Sequence, residues 1–109
     1  MATTYKVLGQ SAPSAASDTD VYTVPSSTEA VISTITVCNR GGSSATYRIA
    51  VRPDGASIAN QHYVAYDATV PANDTIALTI GITADASDVV TVYASNANLS
   101  FNFFGSEIA

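Results

Sequence analysis

The residue types that most often carry catalysis or bind metals are scarce in this 109-residue sequence, which contains one histidine, His62, and one cysteine, Cys38. A Ser-His-Asp triad would have to use His62 as its base. The residues around it, His-Tyr-Val-Ala-Tyr, are typical of a strand, and no Gly-x-Ser-x-Gly turn is present to expose a nucleophile. One His and one Cys cannot close a zinc site without carboxylates. We therefore interpret His62 as a surface histidine beside a loop and Cys38 as an inert small residue, and predict no catalytic residue, metal or cofactor.

Two pairs of aspartates lie close together in the sequence, Asp18 with Asp20 and Asp85 with Asp88. Paired carboxylates can bind calcium or act as a general acid and base. Neither pair has the Asp-x-Asp-x-Asp-Gly spacing of a calcium loop. Aspartate is also common where turns begin, because its side chain caps backbone amides. Turn capping is the interpretation that the spacing favours.

Three residues are candidates for contacts with another protein: Arg48, Arg52 and Phe104. The two arginines are out of phase with the apolar residues of their segment, so both are predicted to project from the outer face of one strand. Arginine can bridge to carboxylates of another subunit, although a solvated edge explains the pattern equally well. Phe104 is out of phase with Phe101 and Phe103. It is therefore either an outward interface anchor or the mark of a β-bulge that turns it inward.

Composition excludes several classes of function. The net charge is -5 with four Lys and Arg residues, which leaves no basic surface for nucleic acid. No stretch approaches the ~18 apolar residues that span a membrane, and the N-terminal region lacks the segments of a secretory signal. Charged residues make up 12% of the chain, about half the usual fraction, and so poorly charged a surface is often covered by a partner. We expect a protein made in a cytoplasm that binds neither nucleic acid nor membrane.

The elements that would position these residues are β-strands. Alternating runs rich in Val, Ile, Thr and Tyr are closed by Gly, Pro, Asn, Asp or Ser, and no segment keeps a helical apolar period. Strands are predicted at 4–9, 20–25, 29–39, 45–51, 62–70, 75–83, 88–94 and 99–103. The third and fourth, joined by Arg-Gly-Gly-Ser-Ser, are predicted to form a hairpin. The predicted inward residues include Val31, Ile35, Val37, Tyr47, Ile49, Val51, Val64, Tyr66, Val70, Ile76, Leu78, Ile80, Ile82, Leu99, Phe101 and Phe103.

Seven or eight antiparallel strands with one buried face each predict an all-β, single-domain antiparallel β-sandwich. We expect an immunoglobulin-like arrangement, with a jelly roll as the alternative. The sandwich is expected to occupy residues 20–109. Residues 1–19 are expected to form an N-terminal strand or arm and a polar loop, because Gln-Ser-Ala-Pro-Ser-Ala-Ala-Ser-Asp-Thr-Asp is too small and polar to hold itself in place. An arm of that kind would reach a neighbouring subunit.

Several short motifs carry a resemblance to a known group of proteins. They are Tyr-Thr-Val-Pro at 22–25, Asn-Arg-Gly at 39–41, Arg48, Val-Arg at 51–52, Pro-Ala-Asn-Asp at 71–74, Val-Tyr-Ala-Ser at 92–95 and Phe-Gly-Ser-Glu at 104–107. With these motifs, the chain from Tyr22 to Ile108 resembles small virion proteins of tailed bacteriophages, especially phages of aquatic bacteria such as cyanobacteria.

The resemblance implies a non-enzymatic structural component of the virion. The form we favour is a capsid decoration (cement) protein that binds the outer shell in many copies, with the major capsid protein or other virion proteins, and further copies of itself, as partners. A tail, collar or baseplate accessory protein is one alternative. An alternative of another class is a carbohydrate-binding module for host attachment. In that case Tyr63 and Tyr93, which are out of phase with the apolar faces of their strands, would supply an aromatic platform.

Overall fold

Two antiparallel sheets form the domain in a computed structural model that describes residues 2–109. The strands are β1 (Thr3–Ser11), β2 (Thr19–Thr23), β3 (Glu29–Asn39), β4 (Ala45–Arg52), β5 (Tyr63–Val70), β6 (Thr75–Leu78), β7 (Ile82–Ala84), β8 (Val89–Ala94) and β9 (Leu99–Ile108). Sheet 1 has the order β1-β9-β3-β6, with β7 also paired to β3, and sheet 2 has the order β2-β8-β4-β5. Two short 3-10 turns, Pro53–Gly55 and Asn60–His62, lie between β4 and β5. The predicted all-β sandwich is confirmed.

The strand order distinguishes the two sandwich topologies considered above. In an immunoglobulin domain the first two strands lie side by side in one sheet. Here β1 and β2 lie in different sheets, and β1 pairs with β9, the last strand. Both β6 and β7 pair with β3, so they can be counted as one interrupted strand. The resulting two four-stranded sheets have the connectivity of a jelly roll, the alternative arrangement, rather than that of an immunoglobulin domain.

The predicted hairpin of β3 and β4 is wrong, because these strands lie in different sheets. Residues 40–44 carry the chain from one sheet across to the other. Both strands turn their apolar residues towards the same interior, so their alternation is identical whether they lie side by side or face each other across the core. The consecutive strands that do pair are β4 and β5.

The core is built from the inward faces of both sheets. Its largest fully buried hydrophobic side chains are Phe101, Phe103, Ile32, Ile35, Ile49, Leu99, Val24, Val37, Val70, Val90 and Val92. The rings of Tyr47 and Phe101 meet edge to face across the sandwich, with centroids 6.3 Å apart, a favourable geometry for buried aromatic pairs. The predicted inward phase of β9 is confirmed by its three buried apolar residues.

A bulge in β3 changes the phase of its first half. The register between β3 and β9 shifts between Ile32 and Thr34, which leaves Ser33 as an extra residue. Ile32 is therefore buried together with Ile35, and Val31, which was predicted to point inward, is only partly buried. A count of alternating residues assumes an unbroken period of two and cannot detect an inserted residue.

Irregularities also overturn the predicted phase in β5 and in the run 75–83. The register between β4 and β5 shifts between Ala68 and Ala65, so that Val64 and Tyr66 are exposed. Ile80 is 45% exposed, because the chain leaves sheet 1 between β6 and β7. The prediction that these three residues point inward is wrong, because it assumes one unbroken period of two along each run.

Lys6, Tyr22 and Glu107 form a polar cluster that joins β1, β2 and β9. Lys6 Nζ lies 2.7 Å from Glu107 Oε1, and the Tyr22 hydroxyl donates to the other carboxylate oxygen. The hydrogen bond from Lys6, followed by that from Tyr22, lowers the pKa of Glu107. Burial, followed by the hydrogen bond to Glu107, raises the pKa of Tyr22. Because Tyr22 belongs to sheet 2 and Glu107 to sheet 1, the cluster links the two sheets.

We expect this cluster to make stability fall at both extremes of pH. The pKa of Glu107 is lower in the folded chain than its unfolded value of about 4.3, so its contribution is present above that pH and is lost as the pH falls through the folded pKa. The pKa of Tyr22 is raised, so its contribution is present below about pH 10 and is lost as the pH rises further. Urea unfolding midpoints measured from acid to alkaline pH check both signs.

The variant Glu107→Gln isolates the acid side of this profile. We expect its urea midpoint to vary less below neutral pH than that of the unmodified protein. The exposed Glu29, which lies outside this cluster, is replaced in the same way as the control. An acid slope that Glu107→Gln leaves intact would show that other carboxylates cause it.

Candidate interaction surfaces

Arg52 is held within its own domain and ties three elements together. Its Nη1 donates to Asp20 Oδ1 at 2.9 Å and to Thr91 Oγ1 at 3.0 Å. Its Nε donates to the carbonyl of Ala56 at 2.8 Å and its Nη2 to that of Gly55 at 3.1 Å. The side chain is only 19% exposed. Arg52 therefore anchors the turn after β4 to β2 and β8, and has little capacity left for an outside partner.

Arg48 lies on the outer face of sheet 2, as predicted, between two tyrosine rings. Its guanidinium carbon is 4.3 Å from the ring centroid of Tyr66 and 4.2 Å from that of Tyr93. Its Nε lies 2.7 Å from Asp67 Oδ1, and this hydrogen bond is the main reason that the pKa of Arg48 is raised. The ring of Tyr63 packs edge-on against Tyr66, with centroids 4.8 Å apart. We name these five residues the tyrosine–arginine cluster.

We expect stacking to contribute more to this cluster than the ion pair does. Arg48→Lys keeps the charge and loses the planar group that lies against the rings, so it should give a small, measurable decrease in the urea midpoint. Asp67→Asn removes only an exposed ion pair and should have a smaller effect, which added salt would mimic. Equal midpoints for Arg48→Lys and the unmodified protein would show that the stacking contributes nothing.

Phe104 lies on the outer face of sheet 1, which is the first of its two predicted orientations. It stands opposite Val7 of β1 and Thr34 of β3, and it is 36% exposed. Bulges are present here, but in the neighbouring strands: the register shifts after Val7 in β1 and before Thr34 in β3. The side chain of Phe104 is therefore accessible to a partner.

Two further apolar side chains of β1 extend the exposed surface around Phe104. Tyr5 is 83% exposed and Val7 is 49% exposed. Together with Val31 and Phe104 they supply the apolar side chains around an open hollow of about 560 Å³, which Lys6, Ser33, Gly105 and Ser106 also line. We name the four apolar residues, Tyr5, Val7, Val31 and Phe104, the sheet 1 patch. A contiguous apolar patch on a small domain is typical of an interaction site.

The sequence reasoning did not single out Tyr5 and Val7 as candidate contacts. Both lie in a run that is correctly predicted as a strand, and they share one face of it. The one signal in the sequence for their exposure was that no second apolar run is left to cover that face of β1. The sequence does not show which strands neighbour β1, or which side of those strands faces solvent.

His62 is buried, which corrects its interpretation as a surface histidine. It is 9% exposed, and its Nδ1 accepts a hydrogen bond from the backbone N–H of Ala59 at 3.0 Å. The backbone N–H of His62 donates a hydrogen bond to the carbonyl of Ala59 at 3.0 Å. The imidazole thus closes the short turn that leads into β5.

The two aspartate pairs have different roles. Asp88 accepts hydrogen bonds from the backbone N–H groups of Asp54 at 2.8 Å and Asp85 at 2.9 Å, and Asp85 accepts one from Ala86 at 2.8 Å. Turn capping is confirmed for this pair. Turn capping is wrong for Asp20, which lies in β2 and accepts its hydrogen bonds from the side chains of Arg52 and Thr91.

Within residues 2–109, no three His, Cys, Asp or Glu side chains are grouped in a way that could hold a metal ion. Nor does this part of the chain contain a helix long and apolar enough to cross a membrane. A comparison of the chain with known protein families, with characterised proteins and with solved structures finds no match.

Proposed function

We propose that this protein is a non-enzymatic structural component of a tailed-bacteriophage virion, and that it is a capsid decoration protein. The sheet 1 patch is the observation that carries the proposal, because it offers exposed apolar residues on the outer face of a sheet to another protein. The resemblance of residues 22–108 to small virion proteins is the reason for proposing a tailed-bacteriophage virion as the particle. The jelly-roll connectivity adds no preference of its own, since that fold hosts unrelated functions.

In this proposal the major capsid protein, or another virion protein, covers the sheet 1 patch. Many weakly bound copies would act together, because a symmetric shell repeats the same contact at every equivalent site. The decoration protein would bind only the assembled shell, and would therefore stabilise it by mass action. No step requires a metal or a cofactor.

Copy number in purified particles, measured by quantitative mass spectrometry against the major capsid protein, tests the proposal. A simple ratio to the shell subunit supports a decoration protein. A handful to a few tens of copies supports the alternative of a tail, collar or baseplate accessory protein. Absence from the particle overturns the virion proposal as a whole.

Two valines with the same exposure provide a matched test of the surface. Val7 on the sheet 1 patch and Val64 on β5 are each 49% exposed. We expect Val7→Ser to reduce the number of copies per particle at least about tenfold, since this contact lies within the proposed interface. Val64→Ser, in the other sheet, should leave the copy number unchanged. Equal loss in both variants would contradict the choice of the sheet 1 patch.

The tyrosine–arginine cluster supports a second candidate function, a carbohydrate-binding module for host attachment. Sugars stack on exposed aromatic rings, and Tyr66 is 57% exposed. The guanidinium of Arg48 already covers one face of the rings of Tyr66 and Tyr93, which leaves a smaller platform than the sequence predicts. A glycan array with the unmodified protein and with Tyr66→Ala tests this candidate. If the unmodified protein binds no glycan on the array, the carbohydrate-binding function is excluded.

A further inference from the structure

The outer edge of β1 is open along its first half. β1 pairs on one side with β9, and residues 3–7 are all exposed. An edge strand presents unpaired N–H and C=O groups, and such a row can pair with another chain. Two of the devices that prevent this pairing are absent or weakened along residues 3–7, which contain no proline and whose one charged side chain, that of Lys6, is paired with Glu107 of the same molecule.

The hydrogen bonds at the end of the strand show which backbone groups point outward. Ala2 and Ala109 exchange both of their backbone hydrogen bonds, at 2.8 and 2.9 Å. In an antiparallel ladder such pairs alternate with pairs that exchange none. The register runs unbroken up to Val7, so Thr4 and Lys6 bond to β9 and the N–H and C=O groups of Thr3, Tyr5 and Val7 point away from it.

We propose that two copies of this protein form a two-fold dimer in which β1 pairs antiparallel with β1 of the second copy, centred on Tyr5. The outward groups fit this pairing, because Thr3, Tyr5 and Val7 are spaced symmetrically about Tyr5. Tyr5 lies opposite Tyr5 of the second copy, and Thr3 lies opposite Val7. Each of these pairs exchanges two hydrogen bonds and uses every backbone group left free by β9 between Thr3 and Val7.

Charge and shape favour a second copy as the occupant of this edge. In this register Lys6 faces Thr4 of the second copy, so no like charges are opposed. Residues 2–17 carry no carboxylate, although each copy has a net charge of -5, so the pairing brings no carboxylate of one edge strand against a carboxylate of the other. The bulge after Val7 bends the strand and ends the pairing there.

The dimer would also join two sheet 1 patches into one surface. Tyr5 and Val7 lie on the same outer face as Phe104. Pairing about Tyr5 places the Tyr5 side chains of both copies side by side at the centre, with a Phe104 on either flank. The dimer does not depend on the proposed virion function, and a purified protein is sufficient to test it.

Sedimentation velocity over a wide range of protein concentrations, with Tyr5→Pro as the key variant, tests the dimer. Proline on an edge strand is tolerated where the missing N–H would have faced solvent, so Tyr5→Pro should fold normally. We expect the unmodified protein to form dimers as concentration rises, and Tyr5→Pro to weaken dimerisation at least about tenfold. Thr4→Pro is the matched control for register, since the N–H of Thr4 bonds to β9. It should lower the stability of the fold itself.

A disulfide supplies a second readout that does not rely on weak association. In a background of Cys38→Ser, Tyr5→Cys would place two cysteines about 5.5 Å apart between their Cα atoms, within the range a disulfide can bridge. We expect rapid formation of a covalent dimer on oxidation. Thr4→Cys, which faces Lys6 of the second copy, should cross-link far more slowly.

A monomer at every concentration, with no cross-link through position 5, would overturn the proposal. So would a dimer that survives Tyr5→Pro unchanged and cross-links equally at positions 4 and 5, since it would use another surface. Either result would leave the copy-number test of the virion proposal unaffected.

Discussion

Replacing Asn39 by alanine is expected to lower the free energy of unfolding by about 2–4 kcal/mol. Asn39 is 1% exposed and lies at the last position of β3. Its Nδ2 donates to the carbonyl of Ser43 at 2.9 Å and to that of Val70 at 3.2 Å, and its Oδ1 accepts from the N–H of Gly41 at 2.9 Å. Alanine would leave three backbone groups without their partner.

Most of this loss of stability comes from the one backbone group that is buried away from water, the carbonyl of Val70. The bond from Asn39 to the carbonyl of Val70 is buried, whereas those to Ser43 and Gly41 lie nearer the surface. A buried polar group that loses its hydrogen bond bears the full penalty of desolvation. The total stability of a small domain is only about 5–15 kcal/mol, so this one substitution removes a large fraction of it.

Urea unfolding of Asn39→Ala measures the effect, and Asn102→Ala is the matched control. Asn102 has an exposed side-chain bond to Gln10, and its loss should change stability by less than about 0.5 kcal/mol. Asn39→Asp should be at least as damaging as Asn39→Ala at neutral pH, because it turns a carboxylate towards two carbonyl oxygens. A loss below about 1 kcal/mol in Asn39→Ala would show that water replaces the side chain at this corner.

Asn39 also explains why the connection after β3 is not the predicted hairpin turn. The Gly-Gly-Ser-Ser segment is compatible with a tight turn, but the side chain of Asn39 folds residues 41–43 back towards the end of β5 in the opposite sheet. These contacts join residues up to 31 positions apart. Local turn propensity can indicate that the chain reverses. It does not indicate whether the chain reverses within a sheet or between sheets.

Strand positions were the most predictable feature of the fold. The bounds of β3 and β4 and the inward residues of β9 follow from long, regular alternation. The sequence failed where a residue is inserted into this period, at Ser33 and in β5. Each insertion is stabilised by contacts with a neighbouring strand, which the sequence does not identify.

In the candidate surfaces, the sequence predicts the orientation of single residues but not which residues contact one another. The outward orientations of Arg48 and Tyr93 follow from their phase in β4 and β8, but their contact with Tyr66 depends on the irregularity of β5. Arg52 has the same phase as Arg48, yet it is bound by Asp20 of β2. Neighbouring strands therefore decide which groups of the domain each of these two arginines contacts.

The second large expected effect concerns Gly105, which lies in β9 opposite Ile32, beside the bulge of β3. A Cβ at this position would lie 2.9 Å from the carbonyl carbon of Val31 and 3.0 Å from the Cα of Ile32, and closer still to the oxygen of that carbonyl. These are backbone atoms of a central strand, so they cannot move aside as a flexible side chain would. We expect Gly105→Ala to lower the free energy of unfolding by about 2–4 kcal/mol, at or above the usual cost of overpacking.

Gly42→Ala is the matched control, because an added methyl group there would meet no atom within 4 Å. It should be neutral or slightly stabilising, by up to about 1 kcal/mol, since alanine restricts the unfolded chain. Urea unfolding of both variants separates a local clash from a general effect of removing glycine. Gly105 adjoins Phe104, so Gly105→Ala should also displace the centre of the sheet 1 patch and reduce incorporation into particles. If Gly105→Ala is as stable as the unmodified protein, β3 and β9 do not approach as closely as their register requires, and the extra residue of β3 must lie elsewhere than at Ser33.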